Sequence, residues 1–269
     1  TAYEISLGLV GSEMCIRDRC NITNVKIYNC TASSGASFSG ITTINCVNIG
    51  IKNATCSHIL VADNASFATG LSVFGYNGES YAISVTDVNI LNCSFGILTL
   101  SSDGTLHHIL LANTTLLGAT PSNSTIGLIL CSYANTSSTI LSDLDAQNIL
   151  ASNFQMGLLV LVEGEDASIR TTTFKNATFS DNGSIGALII TPQTTRRSVP
   201  TCDMSFEQCC FSHNVLSSLG ICAGAILWGT DQLVFNNCSF TNHAGTEDSP
   251  YCGLFAVLAS NLNVFYSAF

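Results

Sequence analysis

Basic residues are scarce in this chain. Its 269 residues include 8 Lys and Arg against 18 Asp and Glu, for a formal net charge of −10. Binding to nucleic acid, or to an anionic membrane through a basic patch, needs a cluster of positive side chains. We therefore predict neither function. Long apolar runs are also missing, because runs such as GLLVLV (residues 157–162) have the length of a strand, far below the roughly 18–20 residues of a membrane-spanning helix.

Amphipathic patterns of helical length are missing as well, and only 10% of the residues are charged. Short apolar runs alternate with stretches of Gly, Ser, Thr and Asn. Short runs punctuated in this way favour strands over helices. The composition therefore predicts an all-β protein with a substantial core.

Cysteine and potential glycosylation sites are, by contrast, abundant. The chain has 13 Cys, which is typical of a secreted or cell-surface protein. Asn-x-Ser/Thr sequons are also frequent: Asn21, Asn29, Asn53, Asn64, Asn92, Asn113, Asn123, Asn135, Asn176, Asn182 and Asn237. Sequons lie in surface loops of secreted proteins. Both features predict a secreted or cell-surface location.

The first nineteen residues differ in texture from the rest. EISLGLVGSEMCIRDR (residues 4–19) resembles the translated read-through of a sequencing adapter. We interpret residues 1–19 as a non-native or disordered arm and exclude Cys15 from any pairing. The chain begins without Met, and we expect residues 20–269 to be a fragment of a larger protein.

A repeat of about 29 residues runs along the chain. Three copies align without gaps, FKNATF (174–179), FEQCCF (206–211) and FNNCSF (235–240). Weaker copies place the third position of this motif at residues 64, 92, 113, 151 and 266. A second series of short apolar runs, each opened by Gly, lies between the copies. Repeats of this length are typical of solenoids, so we predict one right-handed parallel β-helix of about eight coils over residues 20–269, with pectin-lyase-like architecture.

The repeat breaks the period of two that a strand requires, and this break predicts a corner. Phe235 and Cys238 are three residues apart, yet Cys238 and Phe240 are two apart. A left-handed residue at Asn237 would restore both side chains to the interior, and Asn tolerates that conformation. We therefore expect equivalent residues to stack from coil to coil in three columns: Asn176, Gln208 and Asn237 at the corner, Phe179, Phe211 and Phe240 inside, and Cys209 and Cys238 inside.

This geometry decides which cysteines and sequons remain as candidate sites. Stacked cysteines stay about one strand spacing apart, beyond disulfide range, so Cys209 and Cys238 are predicted to be buried thiols. Cys222 and Cys252, each before a strand-opening Gly in adjacent coils, are the disulfide candidates. The glycosylation candidates are the sequons in apparent loops, Asn123, Asn135 and Asn182.

The motifs FxxN (residues 179–182 and 211–214) and GAI (residues 224–226) resemble the repeats of the polymorphic outer membrane protein family. That family pairs FxxN with GGA-(Ile/Leu/Val), whereas this chain has one Gly in place of two, and its third FxxN ends in His243. The resemblance covers the last hundred residues best. It implies a surface-displayed β-helix with an adhesive or antigenic role.

Sites for chemistry are few. Acid–base catalysis on glycans needs paired carboxylates, whereas the Asp residues here are single and scattered. Glu163, Glu165 and Asp166 are a weak calcium candidate, because a solvated acidic loop is the favoured explanation of these residues. His107, His108, His213 and His243 lack the usual zinc-ligand spacing. We predict no catalytic residue, no cofactor and no other metal.

Two functions remain. The first is a non-enzymatic secreted or cell-surface module for adhesion or display, with polar, uncharged lateral faces that contact an unknown surface protein or glycan. The second is a carbohydrate-active β-helix enzyme, a polysaccharide lyase or glycoside hydrolase. Convergence of two or more carboxylates in one lateral groove would favour the enzyme, and scattered carboxylates would favour the module.

Overall fold

The chain folds as a right-handed parallel β-helix, as predicted. The computed structural model describes residues 20–32, 37–61, 67–118, 125–191, 201–215, 222–229, 232–244 and 251–269. Every pair of neighbouring strands among these residues is parallel, and each strand pairs with its counterpart roughly 30 residues away. The predicted arm, residues 1–19, lies outside the described residues.

Strands dominate the described part of the chain, and no helix there has the length and apolarity needed to cross a membrane. The strands are β1 Cys20–Thr23, β2 Lys26–Ala32, β3 Ser37–Ile44, β4 Val47–Lys52, β5 Thr55–Val61, β6 Phe67–Tyr76, β7 Glu79–Thr86, β8 Asn89–Cys93, β9 Phe95–Ser102, β10 Thr105–Gly118, β11 Ile126–Tyr133, β12 Thr139–Ser152, β13 Met156–Glu163, β14 Ala167–Lys175, β15 Thr178–Ser180, β16 Ile185–Ile190, β17 Thr201–Glu207, β18 Cys210–Ser212, β19 Cys222–Trp228, β20 Gln232–Asn236, β21 Ser239–Thr241, β22 Tyr251–Val257 and β23 Asn261–Phe265.

Each coil has three walls. The first wall stacks nine strands, β1, β4, β7, β10, β12, β14, β17, β20 and β23. The second wall consists of β2, β5, β8, the second halves of β10 and β12, β15, β18 and β21. The third wall stacks eight strands, β3, β6, β9, β11, β13, β16, β19 and β22. Hydrogen bonds between successive coils close the walls, and the apolar side chains fill the space between them.

A column of left-handed residues forms the corner between the first and second walls. It contains the three predicted residues, Asn176 (φ 51°), Gln208 (φ 55°) and Asn237 (φ 54°). The other members are Asn24, Asn53, Asp87, Asn113, Asn148 and Tyr266, all with φ between 48° and 58°. The backbone N–H of Asn176 donates to the carbonyl of Glu207, and that of Gln208 donates to Asn236. The corner predicted from the broken period is therefore confirmed.

Side-chain amides bond along part of this column. Asn113 Nδ2 donates to Asp87 Oδ1 (3.0 Å), Asn148 Nδ2 to Asn113 Oδ1 (2.9 Å), and Asn176 Nδ2 to Asn148 Oδ1 (3.4 Å). Within the described residues this chain of bonds ends at Asn176, below the longer side chain of Gln208. These side-chain hydrogen bonds thus stabilise the corner, which the left-handed backbone conformation of the same residues forms.

Two stacks of phenylalanine fill the C-terminal half of the core. In the second wall, Phe211 lies between Phe179 and Phe240, with ring centroids 5.3 and 4.9 Å apart. In the first wall, Phe206 lies between Phe174 and Phe235 at 5.1 and 4.8 Å. The two stacks meet edge to face, a favourable arrangement for aromatic rings. The predicted column of Phe179, Phe211 and Phe240 is confirmed.

The predicted cysteine column is buried and unbridged. Cys209 and Cys238 are 1% and 2% exposed and are free thiols. A hydrogen bond with Cys238 and burial raise the pKa of Cys209. Each thiol donates to a carbonyl of the preceding coil, Cys209 to Phe174 and Cys238 to Phe206. These thiols are core residues rather than disulfide partners.

The outer face of the third wall is apolar, which differs from the polar face that we expected. Leu98, Ile129 and Ile226 stack on it and are at most 9% exposed. Further along the same face Trp228 and Phe255 are 50% and 45% exposed. Strands in parallel sheets are commonly apolar on both faces, and the continuous apolar runs of this wall place apolar side chains on both of its faces.

Candidate functional site

A column of polar side chains follows the outer face of the first wall. Strand register places Tyr81, His107, Ser142 and Arg170 one above another in four successive coils. After a register shift in β14, the column continues with Asp203, Gln232 and Asn261. We call these seven residues the polar column. Other exposed positions of the wall are charged as well, among them Lys175 and Glu207, which form an ion pair (3.7 Å) outside this column.

A left-handed residue in β10 and another in β12, next to the polar column, each place one additional side chain on the outer face. His108 and Asp143 adopt left-handed conformations (φ 53° and 52°) at equivalent positions of β10 and β12. In a regular strand His107 and His108 would face opposite sides. The break instead leaves both on the outer face, while the next residue, Ile109, points inward and is 1% exposed.

The two histidines form a cluster with two carboxylates. His107 Nε2 lies 2.9 Å from Glu79 Oε1, and His107 Nδ1 lies 2.6 Å from His108 Nδ1. His108 Nε2 lies 3.8 Å from Asp143 Oδ2. The ring of Tyr81 stacks on that of His107 with centroids 5.3 Å apart. We call Glu79, His107, His108 and Asp143 the histidine cluster.

The cluster fixes the tautomer of His107. A carboxylate only accepts hydrogen bonds, so the proton of the His107 ring lies on Nε2, facing Glu79. His107 Nδ1 then keeps its lone pair and accepts the N–H of His108 Nδ1. The side chain of His107 is 19% exposed, whereas those of His108 and Asp143 are 64% and 41% exposed. His107 Nδ1 is therefore held in place, facing the more accessible side chains of His108 and Asp143.

A cleft of about 310 Å³ opens further along the polar column. Its lining consists of Arg170, Thr201, Cys202, Asp203, Gln232 and Asn261. Among the described residues, no ion pair or side-chain hydrogen bond engages Arg170, Asp203, Gln232 or Asn261. The cleft thus offers a guanidinium, a carboxylate and two amides to a ligand.

The predicted calcium site is not assembled. Glu163 ends β13, and Glu165 and Asp166 lie in the turn that follows. Within the described residues, the one group of three or more ligand side chains within 4.8 Å of one another is His107, His108 and Asp143. The carboxylates of Glu163, Glu165 and Asp166 do not form such a group, so calcium binding there stays a prediction.

The three glycosylation candidates differ in position. Asn123 lies outside the described residues. Asn135 is exposed in a turn, so its glycosylation stays a prediction. This turn is held by Asp103 Oδ1, which accepts the backbone N–H groups of residues 135–137, and the bond from Thr136 contributes most to lowering the pKa of Asp103.

Asn182, by contrast, is 1% exposed. Its Oδ1 accepts the backbone N–H of Phe154 (3.1 Å), and its Nδ2 donates to the carbonyl of Ala151. A glycan on Nδ2 would break the second bond and force the side chain out of the core. The prediction that Asn182 carries a glycan is therefore wrong for the folded chain.

The strand register does not align the two cysteines of the predicted disulfide, Cys222 and Cys252. The register opposes Cys222 to Tyr251 and Ala223 to Cys252. The two cysteines are therefore one residue out of step in adjacent strands, and successive residues of a strand face opposite sides. The side chain of Cys222 lies outside the described residues, so the bridge stays a prediction that this register does not favour.

The histidine cluster and the cleft were missed in the sequence. The usual zinc-ligand spacing is the short spacing of helices and loops, whereas a β-helix brings together residues that are one coil apart in the sequence. Glu79 and His107 are 28 residues apart, and His108 and Asp143 are 35 apart. A search at the repeat length of about 29 residues, with the scatter of the loops, would have found both pairs.

Comparison with known proteins gives distant structural similarity. No protein-family model and no curated protein matches the sequence. The chain is similar to the tailspike protein of E. coli bacteriophage HK620 in complex with a pentasaccharide (TM-score 0.38, 11% identity), covering 88% of this chain and 48% of the tailspike. The chain thus spans about half of the length of that protein.

Two further similarities are of the same order. The A-module of the mannuronan C-5 epimerase AlgE4 from Azotobacter vinelandii gives a TM-score of 0.36 at 11% identity, with 88% of this chain and 78% of the module covered. The Streptococcus pneumoniae surface protein and adhesin PfbA gives 0.22 at 9% identity, with 90% and 67% covered. The class of this protein, a parallel β-helix, rests on its own strand pairing.

Proposed function

We propose that this chain is a non-enzymatic module of a secreted or cell-surface protein, and that it acts in adhesion or display by binding a glycan on the outer face of its first wall. The observation that carries this proposal is the cleft around Arg170 and Asp203. Its charged and amide side chains have no side-chain partners among the described residues.

The chemistry of the cleft suits a chain of hydroxyl groups. The guanidinium of Arg170 is a planar array of donors, the carboxylate of Asp203 is an acceptor, and the amides of Gln232 and Asn261 offer both. A sugar hydroxyl is itself donor and acceptor, so it can satisfy each of these groups. The cleft holds one carboxylate, whereas glycosidic acid–base catalysis requires two. This set supports binding rather than hydrolysis.

Sequence features support an extracellular setting. The chain has eleven sequons, and its last hundred residues resemble the repeats of surface-displayed polymorphic outer membrane proteins. Sequons are used only in secreted and surface proteins. A surface-exposed solenoid also presents a long lateral face, which suits contact with an extended ligand.

Binding to an array of immobilised glycans tests the proposal, with the affinity for each hit then measured in solution. Arg170→Gln is expected to weaken binding about tenfold or more, because a hydrogen bond from a charged group contributes roughly 1.5–3 kcal/mol. Lys175→Gln is the matched control, since it removes an exposed cation from the same strand, outside the cleft. Equal loss in both variants, or no glycan bound, would overturn the assignment.

A carbohydrate-active enzyme is the second candidate, and the histidine cluster favours it. There two carboxylates, Glu79 and Asp143, flank two imidazoles on one lateral face. Incubation with polysaccharides, followed by assays for new reducing ends and for unsaturated products, tests this function. Product that disappears with Glu79→Gln would establish the enzyme and refute the non-enzymatic module.

A further inference from the structure

The geometry points to a divalent transition-metal site at the histidine cluster, and we propose that it binds Zn²⁺ through His107, His108 and Asp143. One ligand atom of each side chain lies within 4.8 Å of the other two. Two imidazole nitrogens and a carboxylate oxygen are a common set of protein ligands for zinc, with a fourth position open to water or ligand.

The strand register holds two of these three ligands, His108 and Asp143, close together. His108 and Asp143 occupy equivalent positions in adjacent coils, so their Cα atoms are held about one strand spacing apart, roughly 4.8 Å. Both residues also share the left-handed conformation that turns their side chains to the outer face. The backbone therefore positions two ligands from different coils before any metal binds.

Glu79 orients the third ligand, His107. Histidines that bind metal commonly donate their other ring N–H to a carboxylate, which fixes the tautomer and raises the basicity of the ligating nitrogen. The 2.9 Å bond from His107 Nε2 to Glu79 Oε1 is this arrangement. Tyr81 stacks on the same ring and limits its rotation. His107 Nδ1 is thus oriented toward His108 with its lone pair available.

The short contact between the histidines also fits an ion. Their Nδ1 atoms are 2.6 Å apart and share one proton. Two nitrogens on a tetrahedral zinc ion, each at roughly 2.0–2.1 Å, stand about 3.3 Å apart. A rotation of the exposed His108 side chain opens this distance, and the ion then replaces the shared proton. Calcium and magnesium prefer oxygen ligands, so the two imidazoles select against them.

Calorimetric titration with Zn²⁺, under reducing conditions, tests the site. We expect one strong site in the unmodified chain and an affinity about tenfold or more lower in Asp143→Asn and His108→Asn. Asn tolerates the left-handed conformation at both positions, so the fold should be kept. Glu79→Gln, which leaves the ligands intact, should weaken binding by about tenfold, as loss of a supporting carboxylate does. A rise in melting temperature with Zn²⁺ gives a second readout.

Two controls separate this site from the free thiols. His58→Asn is the matched variant, because His58 is an exposed histidine with φ 54° at a different corner, and it should leave the affinity unchanged. Co²⁺ bound at the cluster should give visible bands without a thiolate charge-transfer band. Thiolate absorption, unchanged affinity in His108→Asn, or equal binding of Ca²⁺ would each overturn the proposal.

Discussion

Replacing His243 by Asn should stabilise the protein. In the preceding coils the equivalent residues are Asn182 and Asn214, which are 1% and 0% exposed. Asn182 Oδ1 accepts the backbone N–H of Phe154, and Asn214 Oδ1 accepts that of Asn182, both at 3.1 Å. His243 continues this column, but among the described residues neither of its buried ring nitrogens has a hydrogen-bond partner.

The packing leaves room for the change. A Cβ on Gly157 would lie 2.8 Å from Asn182 Nδ2, and one on Gly224 would lie 2.8 Å from His243 Nε2. The amide and the imidazole therefore occupy the same space above a glycine of the preceding coil. This pairing also explains why FxxN and the Gly-containing tetrapeptide recur together, since only a residue without Cβ accommodates the group above it.

The expected gain is about 2 kcal/mol, from the central values of three terms. Relieving a buried unsatisfied polar group is worth roughly 1–3 kcal/mol, and a new backbone-to-amide bond roughly 0.5–1.5 kcal/mol. Against this stands the loss of two ring atoms from packing, at about 1 kcal/mol. In a protein of this size, 1 kcal/mol corresponds to about 2–4 °C in melting temperature, so we expect a rise of about 4–8 °C.

The gain should also depend on pH. Burial, with a smaller contribution from His213, holds the pKa of His243 below its usual value of 6.5. The folded state therefore favours the neutral ring, and the unfolded state binds more protons below pH 6.5. The contribution to stability is complete above pH 6.5 and is lost as the pH falls. Asn does not titrate, so its advantage should grow on acidification.

Thermal unfolding followed by circular dichroism, at pH 7.5 and pH 5.5, measures both effects. His213→Asn is the control, because His213 is exposed at a left-handed position that Asn tolerates, and it should change the free energy of unfolding by less than about 0.5 kcal/mol. A variant His243→Asn that melts at or below the original temperature would refute the reasoning, since the buried nitrogens would then cost nothing.

Three further predictions concern the core and the corner. Phe211→Ala should lower the free energy of unfolding by about 3–5 kcal/mol, whereas Phe269→Ala, at a ring that is 69% exposed, should lower it much less, as judged by denaturant unfolding. Asn176→Val should cost about 1–2 kcal/mol in the same assay because of its positive φ, and Asn176→Gly should cost little. Cys56 and Cys93, whose pKa values burial raises to about 12 and about 11, should resist alkylation at pH 8 in the native state and react after unfolding; rapid native labelling would contradict their burial.

The C-terminal repeats were predictable because their residues permit few alternatives. The sequence FNNCSF fits a strand only if Asn237 breaks the period, and three gap-free copies fix the stacking of Phe211 on Phe179. The structure confirms both. The left-handed residues and the stacked rings are adjacent in sequence, so a local pattern carries the information.

The repeat was misjudged at Asn92 and Ala151. We aligned both with the Asn176 corner, but left-handed residues also form a second corner, at the far end of the short second wall. Asn92 belongs to the second corner, where its amide contacts His58, and Ala151 is a buried residue between the corners. A motif of polar, small and apolar residues matches either corner, so sequence alone does not separate them.

The amino-acid sequence by itself determined the coil, its period and its principal corner, because the alternation of inward and outward side chains is a local property of the backbone. Only the tertiary structure decided the sites. Glu79, His107 and Asp143 belong to three different coils, and Arg170 meets Asp203 only after a register shift. The loops between coils vary in length, so the spacing of two residues in the sequence does not give their register. That register is set by packing between the coils.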